Sequence, residues 1–414
     1  MNDEITNIPK IRFKGYTEDW EQRNLRELLD LLKDGTHGTH SDVEEGVYLL
    51  SAKNIKNGIV NIDSATDRKI SKQEFASIHK NFSLEKGDVL LTIVGSIGES
   101  AIIENPEGIT FQRSVAYLRP NKMLSSLFLY NNINGSKFQA ELKKRQVISA
   151  QPGIYLGDLA VIPIKLPTLT EQIKIGTFFS VLNKTIALHQ RELDLLRKTK
   201  QTYLQKMFPK AGEDRPEIRF AGFTEPWEQR KLKEITERVR GNDGRMDLPT
   251  LTISAGSGWL DQRERFSGNI AGKEQKNYTL LKKGQLSYNH GNSKLAKYGA
   301  VFELKTYSEA LVPRVYHSFG TNELSNPNFI EYMFATKRPD KELAKLVSSG
   351  ARMDGLLNIN FDEFMGINVS IPSVGEQKKI GSFFEQLDDT IALHQRNLNV
   401  LKEMKKSLLQ QMFV

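Results

Sequence analysis

The fold of this chain is decided by a segment that occurs twice, as LPTLTEQIKIGTFFSVLNKTIALHQRELDLL (Leu166–Leu196) and as IPSVGEQKKIGSFFEQLDDTIALHQRNLNVL (Ile371–Leu401). A second pair repeats upstream, as IRFKGYTEDWEQRNLREL (Ile11–Leu28) and IRFAGFTEPWEQRKLKEI (Ile218–Ile235). The two pairs are offset by 205 and 207 residues in a chain of 414. Because this period is half the chain, the sequence predicts a duplicated domain pair rather than a solenoid of short repeats.

Each repeated segment predicts one long amphipathic helix. A Pro-x-x-x-Glu-Gln entry is followed by a run without glycine or proline after the first turns, and Thr170 is the predicted cap of the first helix. Apolar side chains recur at alternating steps of three and four, which is the heptad pattern of a coiled coil. The predicted seam consists of Phe179, Leu182, Ile186, His189, Leu193 and Leu196 in the first helix, and Phe384, Leu387, Ile391, His394, Leu398 and Leu401 in the second.

We expect the two helices to pair antiparallel, because a duplicated unit has pseudo-twofold symmetry. The alternative is that each helix packs only on its own module. His189 and His394 are predicted to be polar residues that set the register, and a metal-binding pair is the less favoured interpretation. A narrower apolar stripe lies off the seam and is predicted to dock another chain. It consists of Val181, Leu188, Leu195, Leu393 and Val400. The alternative is that these are ordinary, scattered surface residues.

Between the repeated ends, the two middles diverge but keep a common pattern. Short apolar runs bounded by Gly and Asn predict strands, and helical patterns recur around Leu127–Arg145 and Asn328–Val347. The fold class is therefore α/β, with mixed α+β modules and two long antiparallel helices. The predicted domains are a first module at 1–165, a first helix at 166–209, a second module at 210–370 and a second helix at 371–414.

Composition narrows the partners and the compartment. The formal net charge of +8 and the pI of about 9.2 mildly favour a polyanionic partner such as nucleic acid. There are no cysteines, which removes disulfides and thiolate chemistry. No apolar run is long enough for a membrane span, so we expect a cytoplasmic protein.

The sequence lacks the common catalytic motifs. The nearest approach to a phosphate-binding loop, Gly95-Ser-Ile-Gly98, has no lysine, and we interpret it as a turn between strands. His37 and His40 have the spacing of a metal pair but no nearby carboxylate that completes a zinc site. We therefore expect no catalytic residue, metal or cofactor in this chain.

Polar, Gly-rich loops in both modules carry side chains that read DNA bases in other proteins. Arg and Lys pair with guanine, Asn and Gln pair with adenine, and glycine lets the backbone approach phosphates. The alternative is that these residues only form turns, because Asn, Gly and Ser are also the residue types that tight turns favour. The candidates are Thr36, His37, Thr39, His40, Lys53, Asn54, Ser96, Gln112 and Arg113 in the first module, and Ser257, Asn289, Asn292, Ser293, Lys294 and Arg314 in the second.

The order of these segments resembles the DNA specificity subunits of bacterial type I restriction-modification systems over nearly the whole chain. The similarity lies in the WEQR openings at Trp20 and Trp227, in DGTHGTH and SAKNI, in KGDVLLT and KGQLSYNHGNS, in the exits that end in TEQ and GEQ, and in the paired IALHQR helices.

This resemblance implies that the modules are two target recognition domains, each reading one half of a split, asymmetric site in double-stranded DNA. It also implies that the helices are a spacer that fixes the gap and docks two methyltransferase subunits, which methylate adenine N6. Restriction subunits with motor and nuclease activity would join the complex. S-adenosylmethionine, ATP and Mg would then be bound by those partners and not by this chain.

Two alternatives from other classes stay open. One is a structural protein that dimerises through its long helices and recognises no DNA sequence. The other, for which the expected motifs are missing, is a fused nuclease or methyltransferase.

Overall fold

A computed structural model describes residues 7–147, 152–266, 272–347 and 356–414. The chain forms two compact units. The first unit contains Met1–Gln190 and Arg396–Val414, and the second contains Arg191–Gln395. Each unit therefore combines one module with the beginning of one long helix and the end of the other.

The first half of the chain contains eleven strands and five α-helices among its described residues. In chain order they are β1 (Glu21–Asn24), β2 (Leu29–Asp34), β3 (Val47–Leu50), β4 (Ile55–Lys56), β5 (Ile59–Val60), β6 (Lys69–Ile70), α1 (Lys72–Ile78), β7 (Val89–Thr92), β8 (Ser100–Ile102), β9 (Ile109–Phe111), β10 (Val115–Pro120), α2 (Ser126–Ile133), α3 (Ser136–Lys144), α4 (Leu156–Ala160), β11 (Pro163–Leu166) and α5 (Leu169–Lys206).

The second half repeats the plan with different details. Its elements are β12 (Glu228–Lys231), α6 (Leu232–Ile235), β13 (Thr236–Arg238), β14 (Leu251–Ser254), β15 (Gly258–Asp261), α7 (Gln262–Phe266), β16 (Thr279–Lys282), β17 (Leu286–Asn289), β18 (Ala300–Glu303), β19 (Glu309–Val312), β20 (His317–Thr321), α8 (Pro327–Ala335), α9 (Asp340–Leu346), α10 (Phe361–Met365), β21 (Asn368–Ile371) and α11 (Val374–Gln411).

A four-stranded antiparallel sheet forms the centre of each module. Its order is β2-β10-β7-β8 in the first module and β13-β20-β17-β18 in the second. Strand β7 is buried along its whole length, which explains its continuous apolar sequence. The equal strand order confirms that the divergent middles share one mixed α/β fold.

The repeated ends of each copy meet as a two-stranded sheet. Strand β1 pairs with β11 in the register Glu21 to Leu166, and β12 pairs with β21 in the equivalent register Glu228 to Ile371. Trp20 and Trp227, which precede these strands, are buried in the two main cores. The two repeated sequence segments are thus alike because they contact each other within each copy.

The Glu-Gln entry of each long helix has a structural role. The side chain of Gln172 donates to the carbonyls of Pro167 and Met123 at 2.9 and 3.0 Å, and it accepts from the amide of Ser125 at 3.0 Å. Gln377 makes the equivalent three bonds in the second copy. These buried amides fix the direction in which each helix leaves its module.

The predicted cap at Thr170 is wrong. Helix α5 begins at Leu169, so Thr170 lies inside the first turn. In the second helix, Ser373 stands just before the helix, and its Oγ accepts from the amide of Glu376 at 3.4 Å. The position equivalent to Ser373 in the first copy is Thr168, two residues earlier than predicted.

Both long helices have 38 residues, and within each unit they run antiparallel. In the first unit, Phe179 near the start of α5 contacts Phe413 beyond the end of α11, with ring centroids 6.0 Å apart. In the second unit, Lys200 Nζ lies 2.5 Å from Asp388 Oδ1, and Arg197 donates to Gln395 at 2.9 Å. Within the second unit, residue numbers that increase along α5 are therefore paired with residue numbers that decrease along α11.

The predicted seam residues lie on the less exposed face of each long helix. All twelve seam residues are buried or half-buried, including the two histidines. His394 Nδ1 lies 3.6 Å from Glu192 Oε2 within the second unit, so a polar contact accompanies this seam position. Phe179 also belongs to the core of the first module, so α5 packs both on its own module and on the end of α11.

The predicted helical regions after the sheets are each divided in two. Gly135 precedes the second helix of the first module, and α2 ends at Ile133. In the second module the break contains Lys337, whose φ of +63° is unusual for a residue with a side chain. None of the helices in the described residues has the length and apolarity needed to cross a membrane.

Candidate nucleic-acid interface

Four loops of the first module converge at one end of its central sheet. They follow β2 (residues 35–40), β3 (51–54) and β7 (93–98), and they join β9 to β10 (112–114). Because neighbouring strands are antiparallel, the ends of β2 and β7 lie beside the start of β10. The tertiary structure therefore brings together all the segments that hold the predicted base-reading residues of this module.

Backbone hydrogen bonds fix these loops to one another. The amide of Arg113 donates to the carbonyl of Thr36 at 3.0 Å, and the amide of Thr36 donates to the carbonyl of Phe111 at 2.8 Å. The amide of Ile93 donates to Ser114 at 2.9 Å, and the amide of Ala52 donates to the hydroxyl of Ser114 at 3.1 Å. Ser114 is thus a common anchor for two of the loops.

The predicted side chains of the first module fall into two groups. Thr36 and Gln112 are half-buried, and the exposed members are His37, Thr39, Lys53, Ser96 and Arg113. Lys53 Nζ lies 2.8 Å from Asp67 Oδ1. Burial alone would raise the pKa of Asp67, but hydrogen bonds from Lys53 and from the amide of Asp63 lower it below its ordinary value.

Asn54 and His40 have structural roles that the sequence did not reveal. Asn54 is buried, donates to Asp67 at 2.7 Å and accepts from the amide of Ser51 at 2.9 Å. The side chain of His40 is only 8% exposed, and its Nδ1 lies 2.6 Å from Glu74 Oε1. Both side chains are thus engaged inside the module. His37 has a different carboxylate partner, Asp34, at 2.6 Å.

Three loops of the second module converge in the same way. They are the turn between β14 and β15 (254–258), the loop after β17 (289–296) and the connection from β19 to β20 (313–316). The side chain of Asn289 donates to the carbonyl of Ile253 at 3.4 Å, which joins the first two. Asn289 is half-buried, whereas the other candidates are exposed: Ser257, Asn292, Ser293, Lys294 and Arg314.

His290 holds the second loop cluster together, and sequence reasoning missed it. One ring nitrogen lies 3.0 Å from the carbonyl of Val315, and the other lies 2.7 Å from the carbonyl of Leu357. Its ring stacks on His317 with centroids 4.9 Å apart, and burial lowers the pKa of His317 to about 4. The alternation in β17 was the available signal, because His290 follows the buried Tyr288 by two residues.

The charge of these loops is one-sided. The seven segments contain no Asp and no Glu, although the chain has 50 acidic residues. Their only formal charges are the lysines and arginines at Lys53, Arg113, Lys294 and Arg314. A surface of this kind attracts a polyanion and offers donors to it.

The second candidate surface lies on the long helices. Three apolar side chains on α5 and two on α11 recur at seven-residue intervals and are between 52% and 63% exposed: Val181, Leu188 and Leu195, and Leu393 and Val400. These exposures separate them clearly from the buried seam. Evenly spaced exposed aliphatic side chains are typical of a helix face that meets another helix.

The comparisons with known proteins agree with this architecture. A sequence model of the type I restriction modification DNA specificity domain matches residues 17–198 and again residues 224–403. The chain belongs to this family and carries the domain twice.

Two relatives and one solved structure give the extent of the similarity. The chain is 22% identical over 409 residues to the type I restriction enzyme MjaVIII specificity subunit of Methanocaldococcus jannaschii, covering 95% of this chain and 91% of that subunit. It is 28% identical over 162 residues to the EcoBI specificity subunit of Escherichia coli, which is 38% of this chain and only 34% of that subunit. The crystal structure of a type I restriction-modification S subunit from M. genitalium shares the fold, with a TM-score of 0.62, 16% identity and coverage of 98% and 99%.

Proposed function

We propose that this chain is the DNA sequence-specificity subunit of a type I restriction-modification complex. Each module reads one half of a bipartite, asymmetric site in double-stranded DNA. The paired helices fix the gap between the half-sites and dock two methyltransferase subunits, which methylate adenine N6. Restriction subunits join through the same complex.

The observation that carries this proposal is the contrast between the frame and the loops of the two modules. Sheet order, helix entry and seam repeat from copy to copy, whereas the loops differ in length and sequence, as in GTHGTH against the unrelated loops of the second module. Two equal frames with unequal loops suit an asymmetric target, since each loop cluster presents its own donors and acceptors to base edges.

The chain itself is proposed to be non-catalytic. His40 is bonded to Glu74 and His290 to two backbone carbonyls, so both rings are engaged in holding the loops. The exposed His37 pairs with Asp34, and none of the sequence patterns of a nucleophile, a metal site or a phosphate-binding loop accompanies this pair. The methyl donor S-adenosylmethionine, together with ATP and Mg, is expected in the partner subunits. The exposed stripe on the helices supports docking of those subunits.

The test is to co-express the chain with its methyltransferase subunits and to map methylated adenines across a genome. We expect one bipartite motif with a fixed gap. Arg113→Ala should relax the bases of one half-site, and Arg314→Ala should relax those of the other, because each arginine stands in a different loop cluster. The matched control is Arg23→Ala, a half-buried arginine outside the loops, which should leave the motif unchanged.

Three outcomes would contradict the proposal. Methylation without sequence preference would favour a structural protein. Methylation by the purified chain alone would favour a fused enzyme. A change in both half-sites after either single substitution would mean that the modules do not read independently.

A further inference from the structure

Leu295 is the most exposed large apolar side chain among the described residues, at 70%. It lies in the loop after β17, one residue beyond Lys294 and within the cluster of loops that His290 holds together. Most of this side chain therefore exposes apolar surface to water instead of packing within the module.

The position of this side chain is defined by the neighbouring turn. A Cβ placed on Gly256 would come within 3.1 Å of Leu295 Cδ1, so one methyl group of Leu295 rests against the backbone of the turn at residues 254–258. Glycine at position 256 leaves room for this contact. The remainder of the side chain faces solvent beside the exposed Asn292, Ser293 and Lys294.

We propose that Leu295 reads a thymine in the half-site of the second module by covering the C5-methyl group of that base. The proposal rests on the proposed function and adds an apolar contact to its polar ones. In the major groove, the methyl group is the feature that distinguishes thymine, and it is recognised by apolar contact. The same groove presents the acceptors and donors that Arg314 and Asn292 would read.

The surroundings favour DNA as the occupant over an apolar protein surface. The three loops around Leu295 carry no acidic residue, and their formal charges are those of Lys294 and Arg314. Val315, in a neighbouring loop, is also exposed, at 52%, but Leu295 projects further into solvent and stands next to the amide, hydroxyl and cationic groups of Asn292, Ser293 and Lys294. An aliphatic side chain in such polar surroundings matches a methyl group beside phosphates and polar base edges.

The corresponding loop of the first module (93–98) has no exposed apolar side chain. Ile93 is buried, and Val94 and Ile97 are half-buried and pack against the main core of the first unit. The methyl contact is therefore expected in only one of the two half-sites.

The experiment uses the chain assembled with its methyltransferase subunits and duplexes that contain the mapped target. Each thymine of the second module's half-site is replaced in turn by uracil, which lacks only the C5-methyl group. For the native chain, we expect one position at which this change weakens binding about fourfold, the effect of losing one buried methyl group. Leu295→Ala should bind the unmodified duplex more weakly by a similar factor and should no longer respond to uracil at that position.

The control is Val161→Ala, which shortens an exposed apolar side chain of the first module and should keep the full uracil effect. A half-site without thymine, a native chain indifferent to every replacement, or a Leu295→Ala variant that keeps the effect would each overturn the inference. So would loss of the methyltransferase subunits from the Leu295→Ala complex, which would assign the leucine to a protein contact. Failure of the native complex to recognise any sequence would instead contradict the proposed function.

Discussion

Arg12 and Glu171 are joined by two hydrogen bonds of 2.7 and 2.8 Å, which tie the segment before β1 to the first turn of the helix α5. Arg219 and Glu376 form the same pair in the second unit, at 2.8 Å for both bonds. The Glu171 side chain is fully buried, and that of Arg12 is 10% exposed. The carboxylate also lies at a helix N-terminus, where the backbone favours negative charge.

Removing one member of this pair should destabilise the first unit strongly. Arg12→Ala leaves the Glu171 carboxylate buried without its partner, and we expect a loss of about 3 kcal/mol in the free energy of unfolding. Urea denaturation measures it. Arg23→Ala, which removes an exposed ion pair with Glu21, should cause no measurable change. Equal effects of the two substitutions would show that the buried pair has no special role.

Lys405 should make the first unit more stable at higher pH. Lys405 is equivalent to Lys200 of the second unit, which pairs with Asp388. The residue equivalent to Asp388 in the first unit is Asn183, so Lys405 has no carboxylate at this position. Burial lowers the pKa of Lys405 below 10.5. The unfolded chain then binds more protons between the lowered pKa and 10.5, so stability rises with pH in that window.

Lys405→Met should therefore stabilise the first unit on the order of 1 kcal/mol at pH 7 and flatten this rise. Unfolding curves between pH 7 and 10 provide the measurement. Lys200→Met is the matched variant, and it should destabilise, because it removes the 2.5 Å partner of Asp388. Stabilisation by both substitutions would be inconsistent with this account.

Glu303 should make the second unit less stable as the pH rises. Burial raises the pKa of Glu303 to about 7, and the nearby Glu331 and Glu385 carboxylates act in the same direction. Lys305, whose Nζ lies 3.9 Å away, and Lys283 act against it. A raised pKa means that the protonated form favours folding below pH 4.5, and this contribution is lost as the pH rises through about 7.

Glu303→Gln keeps the neutral form at every pH. We expect it to reduce the fall in stability between pH 4.5 and 7 and to be more stable than the native chain at pH 8, as measured by thermal unfolding. Glu104→Gln changes a carboxylate that is 81% exposed and should leave the pH profile unaltered. An unchanged profile for Glu303→Gln would show that Glu303 is ionised throughout.

The exposed helix stripe should be required for assembly but not for folding. Leu188→Glu and Leu195→Glu place charges on side chains that are more than half exposed, so the melting temperature should change little. Copurification with tagged methyltransferase subunits should be lost, because a buried interface charge without a partner is costly. Ile59→Glu, at an equally exposed position in the first module, is the control and should copurify normally.

A large part of the fold could be predicted because it depends on patterns that extend over many residues. The seam of the two helices and the shared strands of the modules were predicted on this basis. Individual loop residues were harder to interpret. Asn54 and His40 are residue types that are common in base-reading loops. In the structure, hydrogen bonds to Asp67 and Glu74 hold them inside the module. The neighbouring sequence does not indicate those partners.

The sequence by itself determined the duplicated modules with their strands and the two long amphipathic helices. Each of these is encoded by periodic apolar side chains whose small contributions add up along the chain. Only the tertiary structure decided which loops converge, that His290 joins them and that Leu295 projects from them. The environment of one polar or apolar side chain depends on a few atoms that are distant in sequence, such as the backbone of Gly256 against which Leu295 rests, and no periodic pattern encodes such a contact.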